Sequence, residues 1–319
     1  MKVIRTIPKP GLLLMASLLF YQNGCGTRVG DPDDEADTAN SSVLPTVVFD
    51  IPETISGLAL APGQDSLIYM WANRTERIIQ DINGNLERLN SDTVPTTGEF
   101  SGKGPEGGMR GMIEDISDAP YTKKATICTK AGPMLVLKWD AEGNNIYFIR
   151  DFSISTVRTE NRNTTVSEAY YTRTDTQTTV QLYVDGKPWR TPPGQTATNL
   201  VESIYAVKDS SENMTLRGTN SWFNAEPTAA NGYLVGSFDQ NGAGEFLGYQ
   251  DLDPNCSSFD ETNTAAPGWC LGGDLSSGST YTAEQRDSTW TQLGSVGIEP
   301  FSNIKRVSMG ADVTCPSPP

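Results

Sequence analysis

Cys25, Cys128, Cys256, Cys270 and Cys315 carry the most versatile chemistry in this chain, and their spacing restricts what they can do. A structural zinc site needs closely spaced thiolates or imidazoles. No Cys-x-x-Cys occurs, and the 319 residues include no His, so disulfides are the better reading. Cys25 lies just past a basic and then apolar leader, which sets it apart from the others. The remaining four allow three connectivities. We favour Cys256–Cys270 with Cys128–Cys315: the first closes a short Gly/Pro/Asp loop, and the second ties the end of the chain to a sheet. A loop the size of the first contributes ~3 kcal/mol by the chain-entropy model.

The missing His also removes Ser-His-Asp and Cys-His catalysis and the usual neutral-pH general base. Carboxylate chemistry remains, and glycoside hydrolysis needs two Asp/Glu at a defined separation. No local motif selects a pair from the 39 acidic residues, so no catalytic residue is assigned. Asp251-x-Asp253-x-Asn255 offers the alternating oxygen donors of a calcium loop. Cys256 stands where an EF-hand needs Gly, however, and Thr262 where it needs the bidentate Glu. These three residues are the calcium candidates; an Asp/Pro turn entering a disulfide loop is the plainer reading. Gly102-Lys103-Gly104 lacks the spacing of a phosphate loop. Trp189, Trp222 and Trp269, in or beside loops, and Tyr170 and Tyr171 on a strand are the binding candidates. Flat rings near Asp and Asn stack sugars or anchor a partner, and the same residues also cap cores at sheet ends.

The elements that position these residues are mostly strands. Met134–Trp139 and Ile146–Ser153 flank a turn at 140–145, and Val166–Thr174 pairs with Thr178–Val184. In the last segment Val180, Leu182 and Val184 alternate with Gln181 and Tyr183, which predicts one buried and one wet face. Asp185-Gly186 suits a tight hairpin turn. Ser203–Lys208 with Met214–Phe223, and Tyr233–Phe238 with Glu245–Gln250, make two further pairs around turns at 209–213 and 239–244. The expected fold is therefore mainly β with minor α: an antiparallel meander, curved or half-barrel, with an N-terminal helix packed on it. That helix is expected from Asp65 to about Leu89, with Leu67, Trp71, Ile78, Ile82 and Leu89 on one face. Asn83-Gly84-Asn85 is a candidate break. Residues 91–111 read as a Gly/Pro/Thr loop, 282–293 as a short helix, and Asn303–Met309 as a last strand.

Ahead of the domain, Lys2, Arg5 and Lys9 precede the apolar run Gly11–Tyr21, which is too short to span a bilayer. Asn23-Gly24-Cys25 follows, with Gln22 where Leu is usual. In this segment alone the chain resembles bacterial lipoproteins, whose signal peptidase cuts before a Cys that is then diacylated. The resemblance implies a signal peptide over 1–24, lipidation at Cys25 and attachment to a membrane. By analogy with lipoprotein sorting, Gly26 directs the protein to the outer membrane. Residues 25–42, with Asp31, Asp33, Asp34, Glu35 and Asp37, form an acidic flexible tether, and 43–319 a single β-rich domain.

The net charge of −15 argues against nucleic acid and against electrostatic docking on anionic lipid. Three functions stand as expectations. The first is a non-enzymatic binding or structural role at the bacterial envelope, with a protein or glycan partner. The second is a lipid or lipoprotein carrier with an apolar half-barrel, and the third a glycan-active hydrolase with paired carboxylates. No cofactor is assigned beyond the calcium candidate.

Overall fold

The structure, a computed structural model, describes residues 44–52, 66–91, 93–102, 108–153, 164–186, 199–223, 232–250, 270–274, 279–280, 306–311 and 313–316. All of them lie in the unit Ser41–Pro319. They form one helix, α1 (Ser66–Leu89), and thirteen strands. The strands are β1 (Gly98–Gly102), β2 (Met109–Asp118), β3 (Tyr121–Thr129), β4 (Gly132–Trp139), β5 (Asn145–Asp151), β6 (Thr164–Arg173) and β7 (Gln177–Gly186). They continue with β8 (Asn199–Asp209), β9 (Met214–Phe223), β10 (Gly232–Phe238), β11 (Gly244–Gln250), β12 (Cys270–Asp274) and β13 (Ser279–Thr280). Sheet order follows chain order throughout, and every pairing is antiparallel. The molecule is the expected meander with a helix packed on it.

Three hairpins turn on one device. In β4–β5, β8–β9 and β10–β11 an Asp carboxylate accepts the amide four residues ahead. The pairs are Asp140 with Asn144 at 2.8 Å, Asp209 with Asn213 at 3.0 Å and Asp239 with Ala243 at 2.9 Å. The residue three ahead takes positive φ in each case: Gly143 at 72°, Glu212 at 62° and Gly242 at 78°. Glycine meets no penalty there; Glu212 does, and its carboxylate also pairs with Lys208.

The period-2 alternation sorts side chains onto two faces. On the first, Leu137, Phe148, Ala169, Leu182 and Ile204 lie in one cross-strand row from β4 to β8 and are completely or almost completely buried. α1 covers them with Trp71, Ile78, Ile79, Ile82, Leu86 and Leu89. Each such side chain contributes about 1.5–3 kcal/mol on burial. The helix crosses the strands rather than following them. Trp71 reaches β8, and Asp81 pairs with Arg150 of β5. The rise from Trp71 to Asp81, ~15 Å, matches the ~14 Å of three strand spacings. Gly218 on β9 permits the close approach at the other end, since a Cβ there would meet the Trp71 ring at 3.1 Å and the Ser203 carbonyl oxygen at 2.6 Å.

Four expectations are corrected. α1 is unbroken at Asn83-Gly84-Asn85. Asn83 is recruited instead to hold the preceding segment, accepting the Val47 amide and donating to the Val47 carbonyl, both at 2.8 Å. Residues 91–111 contain β1 and the start of β2; only Phe100 of β1 turns into the core, so the segment shows no apolar alternation. Asp185-Gly186 does not form a turn. Both residues continue β7, opposite Val201 and Leu200. The described part of the predicted last strand, Arg306–Met309, carries no strand pairing.

Candidate functional site

The second face of the sheet differs in composition and in cover. Val136, Ile149, Val166 and Tyr183 form a small buried cluster there under Val307, with Met309 and Val313 alongside. These last three belong to residues 306–311 and 313–316, which cross this face as a strap outside the helix and strands. One end is held by Arg306, which donates to the Asp185 carboxylate. The other is held by the Cys128–Cys315 disulfide, with Cα atoms 6.0 Å apart and a sequence separation of 187. The strap explains why Tyr183, expected on a wet face, is 3% exposed.

Beside the strap lies an aromatic row. Strand register places Lys124, Lys138, Tyr147, Tyr170, Gln181, Tyr205 and Arg217 opposite one another from β3 to β9. All seven are half-buried. The Tyr147 and Tyr170 ring centroids are 5.1 Å apart, with Tyr121 at 6.4 Å from Tyr147 and Tyr183 at 6.4 Å from Tyr170. Lys138 Nζ sits 5.3 Å from the Tyr147 centroid and 2.6 Å from Asp118. At the far end the Arg217 guanidinium lies 4.6 Å from the Tyr205 centroid. Such contacts favour particular ring orientations at Tyr147 and Tyr205.

Glu168 organises the centre of this row from the neighbouring one. Buried between the rings, it accepts the Tyr147 hydroxyl at 3.2 Å and the Tyr170 hydroxyl at 2.8 Å. Burial, and then the Glu168 carboxylate, push both phenols above their ordinary titration range. As neutral phenols, both donate to Glu168. Two residues further along the strands, on the same face, Thr172, Thr179, Val207, Thr215 and Ser237 form a parallel row of mostly hydroxyl-bearing side chains. It ends in a recess of about 440 Å³ between the β8–β9 and β10–β11 turns.

The helix-covered face holds a different polar group. Trp71 Nε1 donates to Glu202 at 3.0 Å, and Arg74 forms an ion pair with the same carboxylate at 2.8 Å while donating to Thr164 at 3.1 Å. Arg74 and Glu202 are 9% and 1% exposed. This arrangement locks α1 to β6 and β8. Glu168 and Glu202 lie on opposite faces, so these two buried glutamates do not share a cleft. A lipid occupying the helix-covered face would have to displace α1, whose side chains fill it.

Of the sequence candidates, Tyr170 belongs to the aromatic row, whereas Tyr171 points the other way and is 1% exposed in the core. Trp222 lies on β9 opposite Leu200, and Cys270 opens β12. Cys25, Cys256, Trp189, Trp269, Asp251, Asp253 and Asn255 lie outside the described residues. Sequence reasoning passed over Lys138, Tyr147, Tyr205 and Arg217. Their common face follows from alternation, but their alignment across strands requires the register.

No protein-family model matches the chain, and no curated protein or solved structure matches it either.

Proposed function

We propose that this is an exported, lipid-anchored protein of the bacterial envelope with a non-enzymatic binding role, and that the aromatic row from Lys138 to Arg217 is its recognition surface. The observation that carries this reading is the row itself: half-buried rings and polar groups aligned across six adjacent strands. Two features support it. Cation–ring contacts and the Glu168 hydrogen bonds pre-orient the side chains, which lowers the entropy lost on binding. The opposite face is filled by α1, so the platform rests on a rigid backing. Attachment through Cys25 rests on the leader.

The test combines fractionation with retention. Cys25→Ser should move the protein out of the membrane fraction. The processed wild-type protein should be retained by isolated envelope material, and a Tyr147→Ala/Tyr170→Ala variant that still folds should lose most of that retention. Undiminished retention of the double variant would remove the row from the account.

A further inference from the structure

We infer that the ligand of this face is a linear glycan lying across the strands, with about one pyranose over each strand from β4 to β9. The inference rests on the recognition reading above and specifies the chemistry it takes. Three observations lead to it.

The first is spacing. Adjacent strands lie ~4.8 Å apart, and the Tyr147 and Tyr170 centroids are separated by 5.1 Å. An equatorially linked pyranose chain advances by nearly the same distance per unit, so sugars laid across the strands stay in step with the side chains. A peptide strand advances ~3.4 Å per residue and falls out of step.

The second is chemistry. Tyr147 and Tyr170 pack in part against the Val307 cluster, but these rings and Tyr205 are only half-buried and leave ring surface for the C–H faces of sugars. Gln181 stands between Tyr170 and Tyr205 in the row; its Nε2 donates to the Tyr183 hydroxyl, which orients the amide and leaves its second N–H and its oxygen for a ligand. The adjoining Thr172, Thr179 and Thr215 add hydroxyls within the reach of sugar hydroxyls.

The third is the poor fit of other polymers. A protein interface concentrates its energy in a continuous desolvated apolar or aromatic centre, but polar Gln181 interrupts the rings between Tyr170 and Tyr205. A nucleic acid would need a broad cationic surface on a chain whose net charge is −15.

The test is a length series. β-1,4-linked N-acetylglucosamine and glucose oligomers, from dimer to octamer, are titrated calorimetrically into the oxidised full-length protein. Affinity should rise with each added unit and level off near the hexamer, which covers β4–β9. Tyr147→Ala, Tyr170→Ala and Tyr205→Ala should each weaken hexamer binding by about tenfold. Tyr147→Phe and Tyr170→Phe, which keep the ring, should weaken it by less than threefold, and Lys130→Ala in the exposed β3–β4 turn should leave it unchanged. Absence of binding by every oligomer, or affinity independent of length, overturns the glycan inference. If the Tyr147→Ala/Tyr170→Ala variant nonetheless loses retention on envelope material, the recognition reading survives that failure. If it keeps retention, both fall.

Discussion

The two faces of this sheet come from the same strands and do opposite things. Tyr170 and Tyr171 are neighbours in β6. One enters the half-buried aromatic row, and the other disappears into the core beneath α1. Among the described residues the helix-covered face is mainly apolar, closed by α1 with Val47, Phe49 and Ile51, and carries polar links at Trp71, Arg74 and Glu202 and at Asp81 and Arg150. The other face has a small apolar patch under an irregular strap and a wide band of rings, amides, hydroxyls and cations. We propose that the difference is a division of labour, in which one face supplies stability and the other carries the recognition surface.

The sharpest way to break this comparison is to remove the buried glutamate from each face. Glu202→Ala strands Arg74 as an unpaired buried cation and should cost about 3–5 kcal/mol in denaturant unfolding. Glu168→Ala frees two tyrosine hydroxyls that can turn toward water, and should cost about 1–3 kcal/mol. Equal losses would contradict the proposed difference between the faces.

Next in size is the strap. Cys128→Ser with Cys315→Ser removes a cross-link spanning 187 residues and should cost ~2–5 kcal/mol. Circular dichroism should show the sheet retained while proteases gain access to 306–316. Loss of the whole sheet signal would mean that the strap supports the fold rather than one face of it.

Titration sharpens the contrast further. Free tyrosine ionises near pH 10.0, and folding raises Tyr147 and Tyr170 above that value. Their contribution is full below about pH 10 and is lost as pH rises, because the unfolded chain ionises first. Stability should therefore fall on the alkaline side, and Tyr147→Phe/Tyr170→Phe should flatten much of that slope. The hairpin device gives the smallest effect and the opposite sign. The Asn213 side chain, helped by the backbone amides of Asn213 and Ser211, holds the Asp209 carboxyl below its usual 3.8. Its contribution is present above about pH 4 and is lost as pH falls through the lower folded value. Asp209→Ala should cost ~1 kcal/mol, with amide shifts confined to the β8–β9 turn.

Much of the fold was legible because local signals agreed with the global one. β9 matches its predicted span, and β4–β8, β10 and β11 differ at their ends by a few residues. The Asp-led turns separate them, and the stripe from Trp71 to Leu89 identifies α1. The Cys128–Cys315 pairing followed from the same logic of tying down an end. β1, β2, β3, β12 and β13 were missed: glycine and polar residues dominate β1, the start of β2 and β12–β13, and Thr122, Lys123 and Lys124 open β3. Asn83-Gly84-Asn85 misled because the partner that uses Asn83, Val47, is distant in sequence. The candidate site was less legible. Alternation alone put Tyr170 and Tyr171 on opposite faces without deciding which face was core, and the row itself depends on seven strands keeping one register.

The most direct test of the central claim is hydroxyl-radical footprinting of the oxidised full-length protein, read residue by residue by mass spectrometry, with and without saturating oligomer. The account predicts that Tyr147, Tyr170 and Tyr205 are modified in the free protein and protected when ligand is added, while Tyr171 remains unmodified in both. Modification of Tyr171 at the rate of Tyr170, or a row whose reactivity no glycan changes, would contradict it.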